Sequence, residues 1–112
     1  MNHEVKEQDN HLIIMFSGDI DLQTSPEVRK ILMENVNKEK SILVDLSGVS
    51  YIDSSGVASL VEALQAMRKN GKQLALIAVS EGAMRVFQLA RLDKVFTIYE
   101  TLNEGMKKIS DG

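Results

Sequence analysis

Asp53-Ser54-Ser55-Gly56 sets one carboxylate and two adjacent hydroxyls just ahead of a run with helical spacing. Any of the three polar side chains can accept a hydrogen bond from the first free N–H groups of that helix, which is ordinary N-capping. The same placement suits phosphoryl transfer to a hydroxyl. A phosphate on Ser54 is expected to face unpaired N–H groups and the positive end of the helix dipole. It would add roughly −1.5 to −2 charge at neutral pH, so the fold would persist while its surface changed. A partner covering that spot with an apolar or acidic surface would be expelled. Gly56, with no side chain, is expected to keep the neighbourhood open to an approaching active site. Ser55 is the second candidate acceptor, with helix capping as its plainer role.

Other chemistry is sparse. Asp19 and Asp21 flank Ile20 after an apolar run, Asp45 falls inside the next one, and Asp53 lies just beyond it. Carboxylates at strand ends can hold Mg²⁺ and accept phosphate, as in a response-regulator receiver domain. Loop solvation and capping explain them more simply, and a receiver would open with a strand feeding directly into a helix. His3 and His11 both fall in the opening segment, so neither is placed to serve Ser54 or Ser55 as a base. The chain has no Cys, no Walker loop, no GxGxxG and no HExxH. No catalytic residue, metal site or cofactor site is assigned, and the chain reads as a non-enzyme.

The elements that must position these residues follow from periodicity. "HEVKEQDN" reads as an edge strand and "HLIIMFSG" as a buried one, with a hairpin turn at "QDN". In "TSPEVRKILMENVNK", Ser25 is the expected cap and Pro26 suits the first helical position. Val28, Ile31, Leu32 and Val36 make its apolar stripe. "SILVDLSG" reads as a strand covered on both faces. After "YIDSSG" a helix carries Val57, Leu60, Val61, Leu64 and Met67 on one face and Glu62, Gln65 and Lys69 on the other, ending at Asn70-Gly71. "KQLALIAV" is another buried strand. Ser80 caps "EGAMRVFQLARL", whose core face is Ala83, Val86, Phe87 and Ala90, with Met84 and Leu89 outside it. "KVFTIY" is the last strand, and Thr101 with Glu104 forms a capping box for a final helix. Strands alternating with helices favour a parallel sheet, and the opening hairpin makes it mixed. The fold class is α/β, with about four helices flanking the sheet.

Composition narrows the classes. The 112 residues suit one compact domain, 1–112. A net charge of −3, with no concentrated basic face, argues against nucleic acid as a partner. Aromatic residues are only 4%, so aliphatic side chains must fill the core. The longest apolar runs are too short to span a bilayer, so no membrane insertion is expected. "MNHEVKEQDNH" lacks the apolar core of a secretory signal. A cytoplasmic protein is the default.

The block "VDLSGVSYIDSSG", preceded by "FSGDIDLQTSPEVRKIL" and followed by "NGKQLALIAVS" and "VFQLARLDKVFTIYET", resembles the STAS domain, in particular bacterial anti-sigma factor antagonists. The resemblance covers nearly the whole chain. It implies partner switching. The serine directly after the motif aspartate, here Ser54, would accept phosphate from a serine protein kinase that is also the anti-sigma factor. The unmodified form would bind that kinase and free its client, and the phosphorylated form would release it. A metal-dependent serine phosphatase would reset the switch. The expected partner surface comprises Asp19, Asp21, Asp53, Ser54, Ser55, Gly56, Ala58, Glu62 and Met84: Asp19 and Asp21 end the second strand, where the fold can bring them to the edge that carries Ser54, and Met84 is a partly uncovered apolar residue whose plainer role is peripheral core packing. STAS domains also serve as constitutive interaction subunits of lipid-transport or stress-signalling complexes, and in that role Ser54 would be only a cap.

Overall fold

The computed structural model describes the backbone of residues 1–111 and the side chains of residues 1–109. Strands β1 (Asn2–Gln8) and β2 (His11–Ile20) form the expected hairpin. Its two turn residues, Asp9 and Asn10, have φ of 52° and 66°, left-handed values that match the turn to the twist of the strands. There follow α1 (Ser25–Val36), β3 (Ile42–Ile52), α2 (Ser54–Lys69), β4 (Leu74–Ile77), α3 (Glu81–Leu89), β5 (Thr97–Tyr99) and α4 (Leu102–Asp111). The sheet order is β1-β2-β3-β4-β5, antiparallel at the first pair and parallel at the other three. This is the expected mixed α/β architecture, with four helices among the described residues.

Alternation along each strand divides the core in two. Leu12, Ile14 and Phe16 of β2, Ile42, Val44 and Leu46 of β3, and Leu74 and Leu76 of β4 face α1, α2 and α3. The intervening Ile13, Leu43, Ala75 and Ile77 face Met106 and Ile109 of α4. A sheet covered on both faces needs such continuous apolar runs. The α1 stripe is buried as expected, and α2 stops at Asn70 with Gly71 at φ 72°.

Four expectations are corrected. The cap position of α1 is Thr24, not Ser25, which is a buried residue of the first turn. The Thr24 hydroxyl is engaged with the preceding loop and makes no side-chain cap. β3 continues past the apolar run to Ile52, because β2 supplies a partner up to Ile20. β5 is reduced to Thr97–Tyr99, the only stretch in register with β4. Ala90 is exposed rather than core, because α3 ends at Leu89.

Candidate functional site

The parallel pairing of β2 and β3 ends with Asp19 opposite Tyr51 and Ile20 opposite Ile52. Two chain exits therefore lie side by side. The Asp53 N–H donates to the Ile20 carbonyl at 3.0 Å, fastening one exit to the other. In the β2–α1 loop, Asp21 Oδ1 accepts from the N–H groups of Gln23 (3.0 Å) and Thr24 (3.1 Å), while Thr24 Oγ1 accepts from the Asp21 N–H at 2.9 Å. That fixed turn leaves Asp19 and Leu22 exposed, Leu22 at 75%. The structure thus brings Asp19 and Asp21 to the sheet edge that carries Asp53 and Ser54, as the sequence suggested.

Asp53 is the N-cap of α2. Its Oδ1 accepts from the N–H groups of Ser55 (2.9 Å) and Gly56 (3.2 Å) and from the Ser55 hydroxyl (2.5 Å). The Ser55 hydroxyl is the main cause holding this carboxyl below the ordinary 3.8; desolvation opposes it, and the N–H groups of Gly56, Ser55 and Leu22 reinforce it. The Leu22 contact ties the β2–α1 loop directly to the start of α2.

This geometry separates the two hydroxyls. Ser55 is half-buried and committed to Asp53. Ser54, the first residue of α2, is exposed, and its hydroxyl makes no hydrogen bond within the described residues. One expectation changes. Two of the N–H groups that a Ser54 phosphate was expected to face, those of Ser55 and Gly56, are already taken by the Asp53 carboxylate. A second changes too. Gly56 is buried, and a Cβ on it would lie 2.5 Å from Ile20 Cγ2 and 2.8 Å from Ile52 Cγ1. Its small size serves close packing of α2 on the sheet, not access to the surface.

Beside Ser54 runs a largely apolar groove of about 540 Å³ between α2 and the end of α3. Val57, Ala58 and Val61 form one wall and Val86, Ala90 and Leu92 the other, with Glu62 and Gln65 at the margin. Glu62 is held by an ion pair to Arg29 of α1. Of the sequence candidates, Ser54, Ala58 and Glu62 line this groove. Met84 does not: it sits half-buried on α3, apart from the lining. Val86, Ala90 and Leu92 were missed, because only the placement of α3 across the groove from α2 makes them a wall. The i, i+4 spacing of Val86 and Ala90 was the one available signal.

The remaining candidates disperse. Asp45 lies mid-strand opposite Met15 and Ile77, and its carboxylate accepts from the Ser47 N–H at 2.8 Å. His11 opens β2, at the far end of that strand from Ile20, and His3 lies on β1. Among the described residues, no three His, Asp or Glu side chains gather to hold a metal ion. No helix among them is long and apolar enough to cross a membrane.

The STAS domain family model matches residues 2–105. The chain is 35% identical over 97 residues to an anti-sigma-B factor antagonist of Listeria monocytogenes, covering 85% of each. It superposes on an anti-sigma factor antagonist from Mycobacterium paratuberculosis with a TM-score of 0.90 at 24% identity, covering 97% of this chain and 93% of that one. It also superposes on the Bacillus cell fate determinant SpoIIAA in its phosphorylated form, with a TM-score of 0.74 at 17% identity, covering 96% and 99%.

Proposed function

The chain belongs to the STAS domain family, and from that premise we propose that it is an anti-sigma factor antagonist switched by phosphorylation of Ser54. The unmodified form binds an anti-sigma factor that is also a serine protein kinase. Phosphate on Ser54 releases that partner, and a metal-dependent serine phosphatase restores binding. The names of the relatives support antagonism, and the existence of a phosphorylated structural neighbour supports the switch. The carrying observation is Ser54 itself, an exposed and unengaged hydroxyl at the margin of an apolar groove.

A partner seated on the groove must dehydrate its margin. Neutral Ser54 tolerates that, whereas a phosphate beside the Asp53 carboxylate does not. Burying one unpaired charge costs several kcal/mol, so a charged Ser54 weakens binding about a hundredfold or more. Incubation with the anti-sigma kinase and ATP, followed by mass spectrometry, should place the phosphate on Ser54. Ser54→Ala should abolish labelling and keep binding, and Ser54→Asp should lose binding with unchanged circular dichroism. Labelling retained in Ser54→Ala would move the site to Ser55. Full binding by Ser54→Asp would favour a constitutive interaction subunit.

A further inference from the structure

We propose that the outer edge of β1 is a self-pairing surface, joining two copies of this chain antiparallel through β1. β1 is an edge of the sheet and pairs with β2 alone among the described residues. All seven of its residues are exposed; within the single copy Glu7 is ion-paired to Lys40 and Glu4 lies 3.8 Å from Lys6 of its own strand. An edge strand presents one unpaired row of N–H and C=O groups, which is a template for another strand.

The residue order decides which strand fits. β1 reads Asn2-His3-Glu4-Val5-Lys6-Glu7-Gln8, and this order is its own complement about Val5. With Val5 opposite Val5 in an antiparallel pair, Glu4 meets Lys6, His3 meets Glu7 and Asn2 meets Gln8, each twice. Alternation puts Glu4 and Lys6 of both strands on one face, in a ring of alternating sign. The other face brings together the two Val5 side chains, which are 37% exposed in the single copy, between the two His3–Glu7 pairs. Opposite charges facing each other across strands stabilise pairing, and like charges oppose it. Alternative registers forfeit this match. Slipping the antiparallel pair by one residue sets Glu4 against Glu7 in one direction and Glu4 against Val5 in the other. Parallel pairing in register sets every charge against its own kind. Charged residues usually guard an edge; here their spacing guards it against other strands and admits a copy of itself.

The resulting sheet is continuous through both copies. Ser54 lies beyond β3, two strands inward from the joined edge, so each pair carries two copies of the site. Contact through one strand is small, below the ~1,200 Å² of standard interfaces, so association is weak and concentration-dependent.

Sedimentation equilibrium on the full chain at low salt, over a concentration series, tests this. The apparent mass should rise from 12.5 kDa towards twice that value. Lys6→Glu alone and Glu4→Lys alone should each weaken association about tenfold or more, because attractive cross-strand pairs become repulsive. The double reversal E4K/K6E should restore it, which no general damage to the fold can do. Mixing the two single variants should give a mixed pair, since a strand with two glutamates then faces one with two lysines. A mass fixed at 12.5 kDa throughout would overturn the proposal. So would association unchanged by Lys6→Glu, or a double reversal that stays as weak as the single variants.

Discussion

Gly56→Ala sets two effects of opposite sign against each other, and the structure decides between them. Gly56 lies in the first turn of α2 with no positive φ. Helix propensity alone therefore predicts that alanine stabilises, by about 1 kcal/mol. Packing predicts the reverse. The added carbon would stand 2.5 Å from Ile20 Cγ2 and 2.8 Å from Ile52 Cγ1, where aliphatic carbons prefer about 3.5–4.0 Å. Relieving both contacts needs a displacement of roughly 1 Å. Ile20 and Ile52 are branched and almost fully buried in the sheet, so they cannot swing aside. Overpacking of this kind costs typically ~1–3 kcal/mol, and the double clash puts it near the upper end. The net expectation is a loss of about 2 kcal/mol after the propensity gain is subtracted. For a domain of this size that lowers the melting temperature by about 10 °C. Urea denaturation followed by circular dichroism gives the free energy directly. The double variant with Ile20→Ala gives the coupling, and the cost of Gly56→Ala should shrink in that background because the nearest clash is gone. A melting point unchanged or raised by Gly56→Ala would refute the packing account.

Three further outcomes follow. The Asp53 carboxyl is held below its ordinary value of 3.8 in the fold, so its stabilising contribution is present above that pH and is lost as pH falls through the lower folded value. Asp53→Asn can cap without titrating, so the urea midpoint difference between parent and variant should narrow on acidification below about pH 4. Ser80 Oγ donates to the Val49 carbonyl at 2.6 Å and accepts from the Ala83 N–H at 3.2 Å; Ser80→Ala should cost ~1–2 kcal/mol in the same assay. Phe87 is fully buried edge-on against Phe96, with ring centroids 5.5 Å apart, while Leu89 two residues on is 80% exposed. Phe87→Ala should cost ~3–5 kcal/mol, and Leu89→Ser should stay within about 0.5 kcal/mol of the parent.

Much of this was legible in the residues because periodicity is a local property. The stripe of α1 and the dense runs of β2, β3 and β4 each announced the face they bury, and Asp9-Asn10 announced a turn. The acidic pair Asp19 and Asp21 was correctly brought near Ser54, because parallel strands deliver their exits to one edge. What escaped was set by distant neighbours. Whether Gly56 is small for access or for packing depends on Ile20, far away in the chain. Whether free N–H groups await a phosphate depends on where the Asp53 carboxylate turns. The wall formed by Val86, Ala90 and Leu92 exists only because α3 lies across the groove from α2. Met84 was singled out for lying off the helical stripe, a criterion blind to which neighbour lies alongside.

The serial strand order bears on how the molecule is made. Each strand lies beside the one that precedes it in the chain, so no pairing waits for a distant segment. The hairpin closes through two residues, and every later strand needs only its own intervening helix to fold back. Such near-neighbour topologies lower the entropy spent on closing loops and favour rapid acquisition of structure. The sheet can therefore grow in the direction of synthesis, with the Asp53-Ser54 turn in place once β3 and α2 have joined the hairpin and the groove beside it completed when α3 has followed β4.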